Sequence, residues 1–269
     1  TGASNTASGY QALHLNTTGT SNVAVGYQNL YSNTTGEFNI ASGHQTLSAN
    51  TTGANNVASG KYALYSNTTA SNNTAVGTQA LKANTTGTRN TASGMNTLLF
   101  NTTASDNTAL GDSALITNTT GASNTAVGTS SLTSNTEGSN LTAIGMGALQ
   151  ANTTGSENVA IGAYSLVANS TGGSNTALGR SALQANTASN NTAVGRDALR
   201  LNTTGATNVA VGKYALYANT TAADNTAVGY NALVANTTGT YNVAIGRIAL
   251  TSGTTADCNT ALGYQAGGS

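Results

Sequence analysis

Small, apolar and polar positions follow one another along this chain in a fixed order that repeats with almost no drift. A unit typically opens with Asn, followed by a Thr or aliphatic residue, an invariant Ala, an aliphatic or Ser residue and an invariant Gly, as in residues 22–26. This Gly occurs sixteen times from Gly9 to Gly263, always after 17 residues except for one 16-residue step between Gly179 and Gly195. Such regularity predicts a stack of similar units that contact only their neighbours.

We number the positions of each unit from its Asn, so that position 3 is Ala, position 5 is Gly, and position 9 is Leu in all units but the last. Positions 2 and 4 suit a pleated strand, and strand alternation places them opposite positions 1, 3 and 5. The invariant Ala and Gly indicate the inner face of a very thin coil. Positions 7 to 11, for example residues 79–83, are predicted to form a second strand; one helical turn is the alternative, because Gln, Ala and Leu favour helices.

The sequence therefore predicts an all-β fold, a β-solenoid (parallel β-roll) of sixteen 17-residue coils with two short strands per coil. The Asn-Thr-Thr-Gly segment at positions 12 to 15 is predicted to close each coil by a turn. We expect residues 1–269 to form one continuous rod, about 75 Å long, and to be a fragment of a longer fibre chain. The core positions of two representative units are Ala24, Gly26, Leu30, Ala160, Gly162 and Leu166.

The outer side of the predicted strand is also largely apolar, so the strand needs a second cover. Another copy of the chain is the simplest cover, and we expect a homo-oligomer, either a trimer or a filament. Position 4 includes Ser only in the first six units and is Val, Leu or Ile in the last ten, so the contact should tighten toward the C-terminal end. Five residues represent this candidate oligomer face: Val127, Ile144, Ile161, Val211 and Ile245.

Composition narrows the classes of function. Charged residues make up 6% of the chain and cancel to a net charge of zero, which argues against nucleic acid and anionic membranes as partners. No apolar run reaches the roughly 20 residues that span a bilayer, and the single cysteine, Cys258, permits neither an internal disulfide nor a cysteine-based zinc site. Histidine and aspartate are scattered over different repeat positions, so we predict no catalytic site, no metal, no cofactor and no enzymatic activity.

Position 12 opens an Asn-Thr-Thr or Asn-Ser-Thr sequence in twelve units, which is the acceptor pattern for N-glycosylation. If this turn is exposed, the chain is a glycan-coated rod; the alternative is an amide ladder in which stacked Asn side chains bind one another, which we favour for position 1. Asn135 and Asn186 lack the acceptor hydroxyl and should carry no sugar even if their neighbours do. The candidate acceptors are Asn16, Asn33, Asn50, Asn67, Asn84, Asn101, Asn118, Asn152, Asn169, Asn202, Asn219 and Asn236.

Eleven tyrosines occupy variable positions that we expect to be exposed. Tyrosine together with Asn and Thr is typical of surfaces that contact sugars or proteins. The alternative is that each ring covers the apolar edge of the roll. The tyrosines are Tyr10, Tyr27, Tyr31, Tyr62, Tyr65, Tyr164, Tyr214, Tyr217, Tyr230, Tyr241 and Tyr264.

The Asn-Val-Ala-Ile-Gly units at residues 158–162 and 242–246 resemble the repeat of the YadA-like head domains of trimeric autotransporter adhesins. Similar repeats occur in some phage tail fibres and other bacterial surface fibres. The resemblance implies a left-handed parallel β-roll, three chains wound side by side, displayed outside the cell and used for attachment. The repeats of that family are typically shorter, and the additional Thr-Thr-Gly segment enlarges one turn here.

We therefore expect an extracellular structural or adhesive fibre at a cell or virion surface, which assembles with copies of itself and contacts a host-surface glycan or protein. The first alternative is the shaft of a phage tail fibre, and the sequence outside this chain would discriminate the two. A second alternative is ice binding by a flat Thr array. It is less favoured because position 2 mixes Thr with Val and Ile.

Overall fold

The computed structural model describes residues 2–268, and these contain strands and turns but no helix. The chain divides into two compact units, Thr1–Gly138 and Ser139–Ser269. The first holds eight strands: β1 (Thr6–Ser8), β2 (Val23–Tyr27), β3 (Ile40–His44), β4 (Val57–Ser59), β5 (Thr74–Val76), β6 (Thr91–Ser93), β7 (Thr108–Leu110) and β8 (Thr125–Val127). The second holds another eight: β9 (Thr142–Ile144), β10 (Val159–Ile161), β11 (Thr176–Leu178), β12 (Thr192–Val194), β13 (Val209–Val211), β14 (Thr226–Val228), β15 (Val243–Ile245) and β16 (Thr260–Leu262).

Within each unit the strands pair in parallel, in chain order and in register. Ala24 of β2 lies opposite Ala41 of β3, and Ala160 of β10 lies opposite Ala177 of β11. The coils share one pattern and, apart from the 16-residue coil, one length, so each position stacks on its own counterpart. The prediction of an all-β parallel solenoid with 17-residue coils is confirmed, whereas that of one continuous domain stays a prediction.

The interior of the coils is a column of small and branched side chains, as the repeat pattern of the sequence predicts. Ala24, Leu30, Ala160 and Leu166 are fully buried. Burying each Leu contributes roughly 1.5–3 kcal/mol. The narrow interior explains the invariant Ala, because a larger residue at this fully buried position would overpack the coil.

Two glycines of position 5, Gly26 and Gly162, lie in the wall of the coil and are only half-buried, although we expected them in the core. Gly26 and Gly162 have φ angles of 125° and 131°, in a region that L side chains rarely adopt. A Cβ atom on Gly162 would lie 2.6 Å from the carbonyl carbon of Gly179 in the next coil. Glycine is therefore required for the close approach of successive backbones.

The predicted second strand is wrong, and so is the alternative of a helical turn. Positions 7 to 11 form overlapping turns, in which the Lys82 amide donates to the Gln79 carbonyl (3.3 Å) and the Asn84 amide to the Leu81 carbonyl (3.2 Å). Gln79 and Leu81 have φ angles of 61° and 52°. Positive φ in alternate residues prevents both a strand and a right-handed helix.

Hydrogen bonds to neighbouring coils stabilise this unusual arm. The amide of Gln79 donates to the Lys61 carbonyl of the preceding coil (2.9 Å), and the amide of Leu81 donates to the Thr97 carbonyl of the following coil (3.0 Å). Left-handed conformation costs about 1–2 kcal/mol per residue, and these bonds together with Leu burial offset that cost. No helix in the described part of the chain is long and apolar enough to cross a membrane.

Candidate functional site

The asparagines of position 12 form a side-chain ladder along the coils. Asn33 donates through Nδ2 to Oδ1 of Asn16 (2.8 Å) and to the carbonyl of Gly36 in its own turn (3.0 Å). Asn50 repeats this geometry one coil further, donating to Oδ1 of Asn33 at 2.8 Å. Each amide thus closes its own turn and joins it to the preceding one, which is the amide-ladder alternative.

The acceptor prediction conflicts with this geometry, because it requires the asparagines to lie on an exposed turn. Eleven of the twelve candidate side chains are at most 1% exposed, and Asn16 is half-buried. Both protons of a typical Nδ2 are engaged inside the coil, which leaves no room for a sugar on that nitrogen. The twelve residues are Asn16, Asn33, Asn50, Asn67, Asn84, Asn101, Asn118, Asn152, Asn169, Asn202, Asn219 and Asn236.

Two ladder members lack the acceptor sequence and still occupy the same place. Asn135 donates to Oδ1 of Asn118 at 2.8 Å, and Asn186 accepts from Nδ2 of Asn202 at 2.7 Å. Both are fully buried. Asparagine is therefore present at position 12 where the acceptor motif is not, which is the behaviour of a structural residue.

Irregular coils leave ladder oxygens without a donor. Among the described residues, the buried Oδ1 atoms of Asn169 and Asn236 have no hydrogen-bond partner. Asn169 lies in the coil that precedes the 16-residue coil, and Asn236 precedes the coil in which Gly253 replaces the ladder Asn. The ladder thus loses hydrogen bonds where the repeat departs from its pattern.

The asparagines of position 1 join side chain to backbone. Oδ1 of Asn22 accepts from the backbone amide of Asn39 at 2.9 Å, and Nδ2 of Asn39 donates to the Gly53 carbonyl at 2.8 Å. Both asparagines are fully buried. The two Asn columns and position 15 therefore meet at one end of each coil, opposite the turn at positions 5 to 8.

The outer side of the strands is apolar and open to solvent. Ile144, Ile161 and Ile245 are 38%, 38% and 40% exposed, and Val127 and Val211 are partly exposed. In the second unit all eight strands carry an aliphatic residue at position 4, whereas four strands of the first unit carry Ser there. The second unit therefore presents an uninterrupted aliphatic row, which we call the aliphatic face: Ile144, Ile161, Leu178, Val194, Val211, Val228, Ile245 and Leu262.

Aromatic residues of successive coils stack at position 6. The rings of Tyr10 and Tyr27 lie 5.4 Å apart at 14°, and those of Tyr27 and His44 lie 4.9 Å apart at 16°. His14 stacks on Tyr31 in the same way, at 5.3 Å. Such pairs contribute about 0.5–1.5 kcal/mol beyond their burial, so both histidines have a structural role.

Basic and acidic residues occupy different repeat positions, although the net charge of the chain is zero. Seven of the eight basic residues occupy positions 6 and 10, next to the turn at positions 5 to 8: Lys61, Lys82, Arg180, Arg196, Arg200, Lys213 and Arg247. Six of the eight acidic residues lie at positions 14 to 17: Glu37, Asp106, Glu137, Glu157, Asp224 and Asp257. Sorting the charged residues by repeat position would have found this from the sequence.

Several acidic residues bind the neighbouring coil. Arg89 hydrogen-bonds to Asp106 at 2.6 Å and holds the pKa of that carboxyl below its ordinary value. The backbone amide of Thr240 donates to Asp257 at 2.6 Å, and this bond, helped by the Thr240 hydroxyl, lowers the pKa of Asp257. The described residues contain no group of three or more His, Cys, Asp or Glu that could hold a metal ion, and Cys258 is exposed with a free thiol.

No protein-family model matches the chain, and none of the curated proteins matches it. The resemblance to adhesin head repeats therefore depends on the repeated five-residue motif alone.

Proposed function

We propose that this chain is part of an extracellular structural or adhesive fibre, at a cell or virion surface, that assembles by pairing the aliphatic face of one copy with that of another. The observation that carries the proposal is the uninterrupted row of eight aliphatic side chains on the second unit, all of them exposed or partly exposed. Exposed apolar rows of this kind mark association surfaces. The resemblance to trimeric adhesin heads supports the same arrangement.

Covering the aliphatic face would contribute free energy to association. Its best-exposed isoleucines retain about two fifths of their surface in solvent. Full burial of such a side chain contributes about 1.5–3 kcal/mol, so covering the remainder contributes about 1 kcal/mol per residue. Because four of the eight residues are less exposed than these isoleucines, two copies together supply at most about 16 kcal/mol, against an association cost of about 4–15 kcal/mol.

A mechanical role also suits the use of polar groups in the coil. The buried asparagines bind carbonyls, amides and one another in adjacent coils rather than converging on a cavity. Their hydrogen bonds stabilise the stack and supply no acid, base or nucleophile to a substrate. We therefore propose that the chain is not an enzyme and that its variable outward positions make repeated weak contacts.

The test is the mass of the assembly in solution, measured by light scattering over a range of concentrations. We expect the wild-type chain to form an oligomer, and the triple variant Ile144→Thr, Ile161→Thr, Ile245→Thr to dissociate toward monomer with an unchanged circular dichroism spectrum. A matched control replaces three partly exposed aliphatic residues of the turn arm in the same unit.

The control variant, Val167→Thr, Val234→Thr, Ile248→Thr, should remain as oligomeric as the wild type. Monomeric wild-type protein at its highest soluble concentration would contradict the proposal. Equal dissociation of the two variants would also contradict it, because the aliphatic face would then have no special part in assembly.

A further inference from the structure

The second unit carries a row of cations along the edge formed by positions 6 and 10. Arg180, Arg196 and Lys213 occupy position 6 of three successive coils, and their side chains are exposed. Successive coils lie about 4.8 Å apart, and like charges on adjacent strands repel one another. Five cations of this unit share the edge, and we call them the basic edge: Arg180, Arg196, Arg200, Lys213 and Arg247.

One carboxylate compensates this charge in part. Asp197, which is 5% exposed, accepts from Arg196 at 3.0 Å and lies 3.5 Å from Arg200. The other acidic residues of the unit lie at the opposite end of the coil, where Ser174 donates to Glu157 at 3.0 Å. The basic edge therefore keeps a net positive charge of about four over five coils, by count of its side chains.

Tyrosine rings of the same edge hold several of these cations in place. Nζ of Lys213 lies 4.9 Å from the ring centroid of Tyr214, and the Arg200 guanidinium lies 6.0 Å from that of Tyr217. The Arg247 guanidinium lies 5.7 Å from the rings of both Tyr230 and Tyr264, which belong to the coils on either side. These cation–π contacts limit the motion of the cations and reduce the entropy lost when they bind an anion.

We propose that the basic edge binds a linear acidic polysaccharide, whose carboxylate or sulfate groups pair with successive cations. A guanidinium presents two parallel N–H donors that match either group. The site lies on the turn edge rather than on the aliphatic face, so it is independent of the self-assembly proposed above.

Nucleic acid fits the same edge less well. Proteins that bind single strands stack bases on free aromatic faces, whereas cations of the protein already lie over Tyr214, Tyr217, Tyr230 and Tyr264. Duplex DNA carries one charge per about 1.7 Å of its axis. The basic edge has at most one position 6 cation per coil, and coils lie ~4.8 Å apart. This spacing matches a ligand chain that is more sparsely charged than duplex DNA.

The test compares the wild-type chain with the triple variant Arg180→Gln, Lys213→Gln, Arg247→Gln. These three cations form no ion pair with Asp197, so the buried carboxylate keeps its partners. The matched control, Lys61→Gln, Lys82→Gln, Arg89→Gln, removes the same charge from the first unit. Titration calorimetry with an oligogalacturonate, a heparin fragment, neutral dextran and a single-stranded oligonucleotide separates carboxylate, sulfate, uncharged sugar and phosphate ligands.

We expect the wild type to bind oligogalacturonate, the heparin fragment or both, more tightly than the oligonucleotide, and not to bind dextran. The triple variant should bind about tenfold more weakly, the sum of three exposed ion pairs, and the control should bind as the wild type does. Equal weakening in both variants, tighter binding of the oligonucleotide, or no binding of either acidic sugar would overturn the proposal. The mass of the triple variant, measured alongside, should remain that of the wild-type assembly; a monomeric mass would mean that the basic edge is part of the self-association contact and would likewise overturn it.

Discussion

The asparagine ladder gives a prediction whose magnitude follows from counted hydrogen bonds. Asn84 is fully buried, donates to Oδ1 of Asn67 (3.0 Å) and to the Gly87 carbonyl (2.9 Å), and accepts from Nδ2 of Asn101 (2.9 Å). The variant Asn84→Ala leaves Oδ1 of Asn67 and one N–H of Asn101 buried without partners, whereas the Gly87 carbonyl keeps a bond from Asn73. Two orphaned polar groups at about 1–3 kcal/mol each predict a loss of about 2–6 kcal/mol.

The assay is urea unfolding followed by circular dichroism at several protein concentrations, with Thr86→Ala as the control. Thr86 supplies the acceptor hydroxyl of the Asn84-Thr85-Thr86 sequence and is exposed, so its removal abolishes the acceptor motif and leaves the ladder intact. We expect this control to change the free energy of unfolding by less than about 0.5 kcal/mol. A loss below about 1 kcal/mol in Asn84→Ala, or an equal loss in both variants, would refute the structural role of the ladder.

Three further predictions concern the ends and walls of the coils. The variant Gly253→Asn gives the unpaired amide oxygen of the last ladder Asn a donor and should stabilise the chain by about 1 kcal/mol in urea unfolding; destabilisation would contradict it. The variant Gly162→Ala combines a φ of 131° with a contact of 2.6 Å to the next backbone and should cost about 3 kcal/mol or more, whereas Gly253→Ala, with no atom within 4 Å, should be nearly neutral. The amide chemical shift of Thr240 should titrate with Asp257, at a midpoint below the ordinary carboxyl pKa of 3.8. The hydrogen bond therefore contributes its full stability above pH 3.8 and loses it as the pH falls through the lower pKa of the folded state. A midpoint at or above 3.8 would contradict this prediction.

The strand and the core could be predicted from the sequence because the stacking of like residues follows from the period of the repeat. Each unit carries one Ala at position 3 and, in all units but the last, one Leu at position 9, so each of these residues recurs with the coil and stacks on its counterpart. The burial of Ala24 and Leu30 follows from that. The turn arm could not be predicted, because Gln79 and Leu81 carry no local preference for positive φ. Their conformation is imposed by the coils on both sides, which supply the partners for their amides.

The functional surfaces show a similar division. The aliphatic face could be proposed from strand alternation, since residues such as Ile144 and Ile161 alternate with a buried Ala. The role of the position 12 asparagines could not be decided from their acceptor motif, because Asn-Thr-Thr suits both an exposed sugar site and a buried ladder. Asn135 and Asn186 are the residues of the sequence that favour the ladder, because both positions have Asn without the acceptor motif.

Contact between copies at the aliphatic face can be observed directly by isotope-filtered nuclear Overhauser spectroscopy on a mixture of labelled and unlabelled chains. We predict intermolecular contacts to the methyl groups of Ile144, Ile161 and Ile245, and none to Ile248, which lies on the turn arm of the same unit. The absence of contacts at the three strand isoleucines, or their presence at Ile248 alone, would contradict assembly through this face.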